Sequence, residues 1–176
     1  MWLKKKQAHK GVLILGLALC LFSCGYHFAG KGEGLPSDIK TIAIPFFTNK
    51  SFEPGIENFF TNALIDEFLK RGRVDIGKTK DSEATITGVI TSFKTSPISF
   101  NGNNRALEYR ATVTLEVSLK RNDNGTVIWE SSKISRYHEY SVSSDTTMTY
   151  ENKRQAIKKI AEDLAEEIHN RIFEGF

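Results

Sequence analysis

Residues Gly72-Arg73-Val74-Asp75-Ile76-Gly77-Lys78-Thr79 fit the G-x-x-x-x-G-K-[ST] spacing with which backbone amides and a lysine hold nucleotide phosphates. That chemistry needs a buried strand before the loop and a helix after it. Here a helical pattern precedes the run, and Lys80-Asp81-Ser82-Glu83 and a strand pattern follow it. Asp75 would also put a carboxylate where phosphate must sit. The run therefore reads as a turn between two strands, and no nucleotide is expected. Gly30-Lys31-Gly32-Glu33-Gly34 follows no strand and reads as flexible linker. His9, His27, His138 and His169 show no metal-ligand spacing with Cys, Asp or Glu. On a pleated strand His138 and Glu139 point to opposite faces, which forbids a dyad. His169 falls near the end of a helix, where a cation is favoured. There is no G-x-S-x-G and no free thiol nucleophile, so neither a catalytic nor a metal site is expected.

The basic residues leave two readings open. Lys94, Arg105 and Arg110 flank the loop Thr95–Asn104, and Lys133 and Arg136 lie on the next strand. They are either solvated charges that block sheet-to-sheet aggregation or a rim for phosphate groups, whose oxygens match the forked guanidinium.

The remaining chemistry lies near the start of the chain. Lys4, Lys5, Lys6 and Lys10 precede an uncharged run, Gly11 to Phe22, which is the pattern of a secretory signal peptide. As a helix those twelve residues rise about 18 Å, well short of the ~30 Å hydrocarbon core of a bilayer. Leu21-Phe22-Ser23-Cys24 resembles the bacterial lipobox. The resemblance implies cleavage before Cys24, a diacylglycerol on its sulfur and an acyl chain, commonly palmitate, on its amine. Several chains together make a lasting anchor, at about 0.8 kcal/mol per buried methylene. Gly25, where aspartate commonly signals inner-membrane retention, points to the periplasmic side of the outer membrane. Residues 1–23 are thus expected to be the signal peptide, 24–40 a lipidated tether and 41–176 a single domain.

Composition then excludes several classes. The formal charge of +3 includes the four signal lysines, and without them it is −1, so the chain is no nucleic-acid binder. Cys20 leaves with the signal and Cys24 is the anchor, which leaves no disulfide. No cofactor beyond the covalent lipid is expected, and the fold must rest on its core.

Thr41-Ile42-Ala43-Ile44 reads as a short strand closed by Pro45. Pro54 suits the first position of a helix. From there Ile56, Phe59, Phe60, Ala63, Leu64, Phe68 and Leu69 make an apolar stripe, stopped at Gly72. A brief strand, Arg73 to Ile76, and a Thr/Val/Ile-rich strand, Ala84–Phe93, come next. Over Leu107–Lys120 apolar and polar residues alternate for fourteen positions, as in a strand with one buried and one wet face. Asn122-Asp123-Asn124-Gly125 turns the chain into a hairpin partner, Thr126–Tyr140. Ala156, Ile157, Ile160, Ala161, Leu164, Ala165, Ile168 and Ile172 stripe a final helix. Two amphipathic helices and a sheet with one apolar face predict an α+β (α/β) two-layer sandwich. Both helices would pack on one face of a mixed, mainly antiparallel sheet of about four strands.

Taken in order, these residues resemble the lipopolysaccharide-assembly lipoprotein family, LptE. The resemblance lies in Cys24-Gly25-Tyr26-His27-Phe28, Leu35-Pro36-Ser37, Asn101-Gly102 and Glu108-Tyr109, and in the last helix. It implies an outer-membrane lipoprotein that plugs and helps assemble the LptD β-barrel and assists lipopolysaccharide insertion. Basic loop residues would bind lipopolysaccharide, for which Lys94, Arg105, Arg110, Lys133 and Arg136 are the candidates here. Thr41–Phe47, Asn49 and the helix ending at Gly72 are also similar to the opening of curli-secretion and penicillin-binding-protein-activator lipoproteins. That likeness implies a secretion-pore or synthase-regulator alternative.

Overall fold

The computed structural model describes residues 34–174. The signal peptide, Cys24 and most of the expected tether lie outside these residues. Leu35 packs on the core and Ile39 is buried within it, so the folded unit takes in the stretch just before the first strand.

The elements run β1 (Thr41–Ala43), β2 (Thr48–Asn49), α1 (Ile56–Arg71), β3 (Asp75–Gly77), β4 (Ala84–Phe100), β5 (Ala106–Arg121), β6 (Val127–Ser141) and α2 (Thr146–Glu174). Two helices cover one face of a mixed sheet, as the alternation and the two stripes predict. The sheet has six strands rather than about four. Its order is β3-β1-β4-β5-β6, with β2 also paired to β4. The additional pairings are parallel and two or three residues long, joining β1 to β3 and to β4, and β2 to β4. The antiparallel meander β4-β5-β6 forms the bulk of the sheet.

In β5 the alternation is realised side by side. Ala111, Val113, Leu115, Val117 and Leu119 are buried beneath the helices, while Glu116 and Lys120 are exposed. Leu107 and Tyr109 belong to the same face, yet Leu107 is exposed and Tyr109 half-buried, because β5 runs on past the helix layer. In α2 every residue of the expected stripe is buried.

Four local readings need correction. The expected loop Thr95–Asn104 is mostly strand, since β4 runs on to Phe100 and only residues 101–105 separate it from β5. The first helix starts at Ile56, not Pro54, with Gly55 at φ 80 and ψ −2 as its left-handed N-cap. Those angles are those of the third position of a type II turn, for which proline is favoured one residue earlier. Pro54 thus serves the turn that leads into α1. Leu69 lies on the outer flank of α1 and is exposed, while Thr61 takes a buried place. Its Oγ1 donates to Glu57 O at 2.7 Å and accepts from the Phe47 amide at 3.0 Å, so the polar atom is satisfied. His169, finally, is no helix-end cation. It is 2% exposed, edge-on to Phe68 at 5.1 Å and 4.5 Å from Phe173, and burial pushes its pKa below the ordinary histidine value.

Gly88 sets how closely the layers approach. A Cβ there would come within 2.4 Å of three Phe47 ring carbons, so only glycine lets that ring rest against β4.

Candidate functional site

The phosphate-loop spacing is distributed over three unrelated pieces of structure. Gly72 ends α1 at φ 61, its amide donating to Phe68 O at 3.1 Å. Asp75–Gly77 is β3, and Lys78 opens a turn closed by the Asp81 amide and the Ser82 hydroxyl on Lys78 O. Strand β4 follows, where a nucleotide cradle needs a helix N-terminus. His138 and Glu139 stand opposite Ala111 and Arg110, on the helix side and the outer side of the sheet respectively. Among the described residues no cluster of His, Cys, Asp and Glu could hold a metal ion. A groove of about 650 Å³ runs between α1 and α2. Lys70, Lys158 and Lys159 alternate there with Asp66, Glu67, Glu162 and Asp163, and neighbouring charges pair off, as Lys159 with Asp163 at 2.8 Å. That is a solvated helix face.

The basic residues gather differently. Beyond Phe93 in β4 and before Ala111 in β5 no residue of the ladder is buried, and most are exposed. At its tip Asn101 Oδ1 accepts from the amides of Asn103 and Arg105, both at 3.0 Å, and Asn104 takes a positive φ of 57. Asparagine tolerates both roles, which is the local reason the chain can turn here. Arg105 is placed just past this turn. Lys94 stands opposite Thr112 and Arg110 opposite Ser96, so their side chains share the outer face on adjacent strands, diagonal to one another. Arg110 also lies over the Tyr137 ring at 4.4 Å and gives two hydrogen bonds to Glu139 Oε1, at 2.7 and 3.2 Å. The Glu139 bond raises the Arg110 pKa further and fixes its charge.

The other two candidates are separated from this group. Arg136 stands opposite buried Val113 on the helix side, where its Nη2 lies 2.7 Å from Glu167 Oε2 of α2. Lys133 is exposed at the β6 bulge, nearer the middle of the strand. Lys94, Arg105 and Lys133 form no ion pair with the described residues, whereas Arg110 and Arg136 each do. The structure therefore brings Lys94, Arg105 and Arg110 to one projecting end.

That end carries apolar groups that charge counting overlooks. Ile98, Phe100, Leu107 and Tyr137 are all exposed on it, and Tyr109 and Tyr140 stack at 5.8 Å on its helix side. The signal for them was the apolar Ile98-Ser99-Phe100 on the near side of a turn rich in asparagine.

The sequence as a whole matches the family model of LptE, lipopolysaccharide-assembly, over residues 39–172, which is nearly all of the described unit. The chain belongs to the LptE family. Solved structures that share its fold include two lipoproteins. Lipoprotein B from Nitrosomonas europaea is 15% identical with a TM-score of 0.55, covering 79% of this chain and 84% of that one. The rare lipoprotein B from Shewanella oneidensis is 13% identical with a TM-score of 0.51, covering 76% and 93%. At such identities the likeness is one of fold alone. No curated protein matches the chain by sequence. This LptE-family chain keeps the sandwich within the matched span, and the projecting end of its meander lies inside that span as well.

Proposed function

We propose that this chain is an outer-membrane lipoprotein, held on the periplasmic side by lipid on Cys24. In this reading it fills and helps assemble the LptD β-barrel and assists lipopolysaccharide insertion into the outer leaflet. The observation that carries the reading is the family match over residues 39–172. The outer sheet face fits the role physically. Thr87, Ser118, Thr114 and Ser135 line it with hydroxyls, cross-linked as Thr87–Ser118 at 2.9 Å and Thr114–Ser135 at 3.3 Å. A polar, well-bonded surface of this kind suits the water-filled interior of a large barrel better than it suits a dry protein interface. No described helix is long and apolar enough to cross a membrane, so on this reading attachment rests on the lipid. Lys94, Arg105 and Arg110 would meet the phosphates of lipopolysaccharide, with exposed Phe100 at the same tip to meet its apolar part.

A tagged form lacking residues 1–24, added to solubilised outer membranes, tests the reading. Recovery of an LptD-type barrel is the expected result. Recovery of a peptidoglycan synthase or a secretion pore in its place would overturn it. Mass spectrometry of the full-length protein tests the anchor, which requires a diacylglycerol and an N-acyl chain on Cys24.

A further inference from the structure

His169 lies where three parts of the fold meet. Phe68 of α1 presents its ring edge-on at 5.1 Å, and Phe173 in the last turn of α2 lies 4.5 Å away at a tilt of 34°. The Phe173 carbonyl in turn abuts Gly34, where a Cβ would come within 2.6 Å of its oxygen, so the incoming chain rests directly on that turn. Leu35, the next residue, packs on the core.

The imidazole has one weak partner. Nδ1 lies 3.5 Å from Asn170 Oδ1, and Nε2 is fully buried with no hydrogen-bond partner among the described residues. A neutral ring bearing its proton on Nδ1 tolerates this, because the cost is one unmet acceptor. An imidazolium does not, since Nε2 would then carry an N–H with no acceptor and a charge with no counter-ion. The charges around it oppose protonation. Arg71 of α1 and Arg73, just beyond α1, both add positive potential, and Arg73 lies over the Phe173 ring at 5.2 Å. Glu67 of α1 is the carboxylate that favours the cation, but Arg71 already holds it at 2.7 Å. On α2 itself Glu167 is engaged by Arg171 and Arg136, and Glu166 by Arg71. From the incoming chain, Asp38 is taken by Arg121.

We propose that His169 is a proton-gated latch. When its ring becomes an imidazolium, the last turn of α2 and the Gly34–Leu35 segment resting on it come away from the helix layer together. The least costly relief is for the ring to reach water. Phe173 is half-buried, and of the apolar stripe only Ile172 is buried in the last turn, so that turn yields before the stripe from Ala156 to Ile168 does. The sign follows from linkage. Folding depresses the histidine pKa, so its neutral form costs nothing above the ordinary value of about 6.5, and stability falls as pH drops below it. The latch concerns the contact of Gly34–Leu35 with the last turn of α2, and it does not depend on the functional reading above.

The test follows the full-length protein in detergent between pH 7.5 and pH 5, by imidazole NMR and by amide exchange corrected for intrinsic rates. His169 is expected to titrate below the ordinary histidine range. Protection in the last turn of α2 and in Leu35–Ile39 should fall about tenfold per pH unit as the ring is driven on. Protection in β5 should hold. His169→Phe should abolish the pH dependence, and His138→Gln, on exposed β6, should leave it unchanged. Uptake of the proton with full protection retained at both segments would overturn the proposal, as would the same pH dependence in His169→Phe. Should that variant not fold, the titration and exchange of the unmodified protein decide the matter.

Discussion

Arg110 and Glu139 face each other across the β5–β6 ladder, Nη2 to Oε1 at 2.7 Å, with the guanidinium laid over Tyr137. The pair is exposed, so it adds little to stability. Its consequence is for binding, because a guanidinium already holding a carboxylate must give up that partner before it can fork onto a phosphate. Lys94 and Arg105 face no such competition.

The three cations at the projecting end should therefore contribute unequally. Lys94→Glu combined with Arg105→Glu is expected to weaken lipopolysaccharide binding about tenfold or more, roughly 1.4 kcal/mol. Arg110→Glu alone should cost less, and Glu139→Gln should tighten binding by releasing Arg110. Arg136→Glu should not alter it, since Arg136 faces α2. Calorimetric titration with purified lipopolysaccharide measures all four. Unchanged affinity in the Lys94/Arg105 double variant would return these residues to ordinary solvated charges, and barrel capture should be spared throughout.

Thr61 supports a different prediction, about the core. Its hydroxyl stands between the Phe47 amide and the Glu57 carbonyl in a buried setting. Thr61→Val keeps the shape but leaves the Phe47 N–H without an acceptor, which should cost about 1–3 kcal/mol. Thr61→Ser restores the oxygen and should recover most of that loss. Equilibrium urea unfolding measures both, and equal stability of the Val and Ser variants would contradict the assignment.

Much of the fold was legible because its largest elements have unambiguous periods. Fourteen alternating positions in β5 and the eight-residue stripe of α2 fix a sheet face and a helix face that must meet. The parallel half was not legible, since two- and three-residue strands such as Thr48–Asn49 are too short to show any period. Their pairing follows only once Phe47 is seated on Gly88. In the candidate site, the phosphate-loop spacing could be dismissed from the order of elements alone. The split between Arg136 and the other basic residues could not. Arg136 shares a face with Ile134, and its inward position is tolerable only because α2 brings Glu167 to meet it. His169 falls on the α2 stripe four residues after Ala165 and three before Ile172, so its burial was readable. Its charge state depended on Phe68 and Phe173, which no local pattern supplies.

Acid should act on the fold a second time, at the end of the sheet opposite the projecting hairpin. Glu83 Oε2 accepts from the amides of Thr41 at 2.6 Å and Lys40 at 3.2 Å, and Arg121 holds Asp38 while also bonding Asp123 at 3.3 Å. The Thr41 hydrogen bond holds the Glu83 carboxyl below its ordinary pKa, and the Arg121 hydrogen bond does the same for Asp38. A carboxyl depressed by folding contributes stability that is present above its unfolded pKa and lost as pH falls through the folded one. That loss lies below about pH 4, well under the window in which His169 acts. Glu83→Gln and Asp38→Asn should each lower stability at pH 7, and the deficit relative to the unmodified protein should shrink as pH falls below the ordinary carboxylate range. Urea unfolding at a series of pH values measures it. A deficit of constant size down to pH 3 would mean that these side chains act through packing, and that their charge does not fasten residues 38–41 to the sheet.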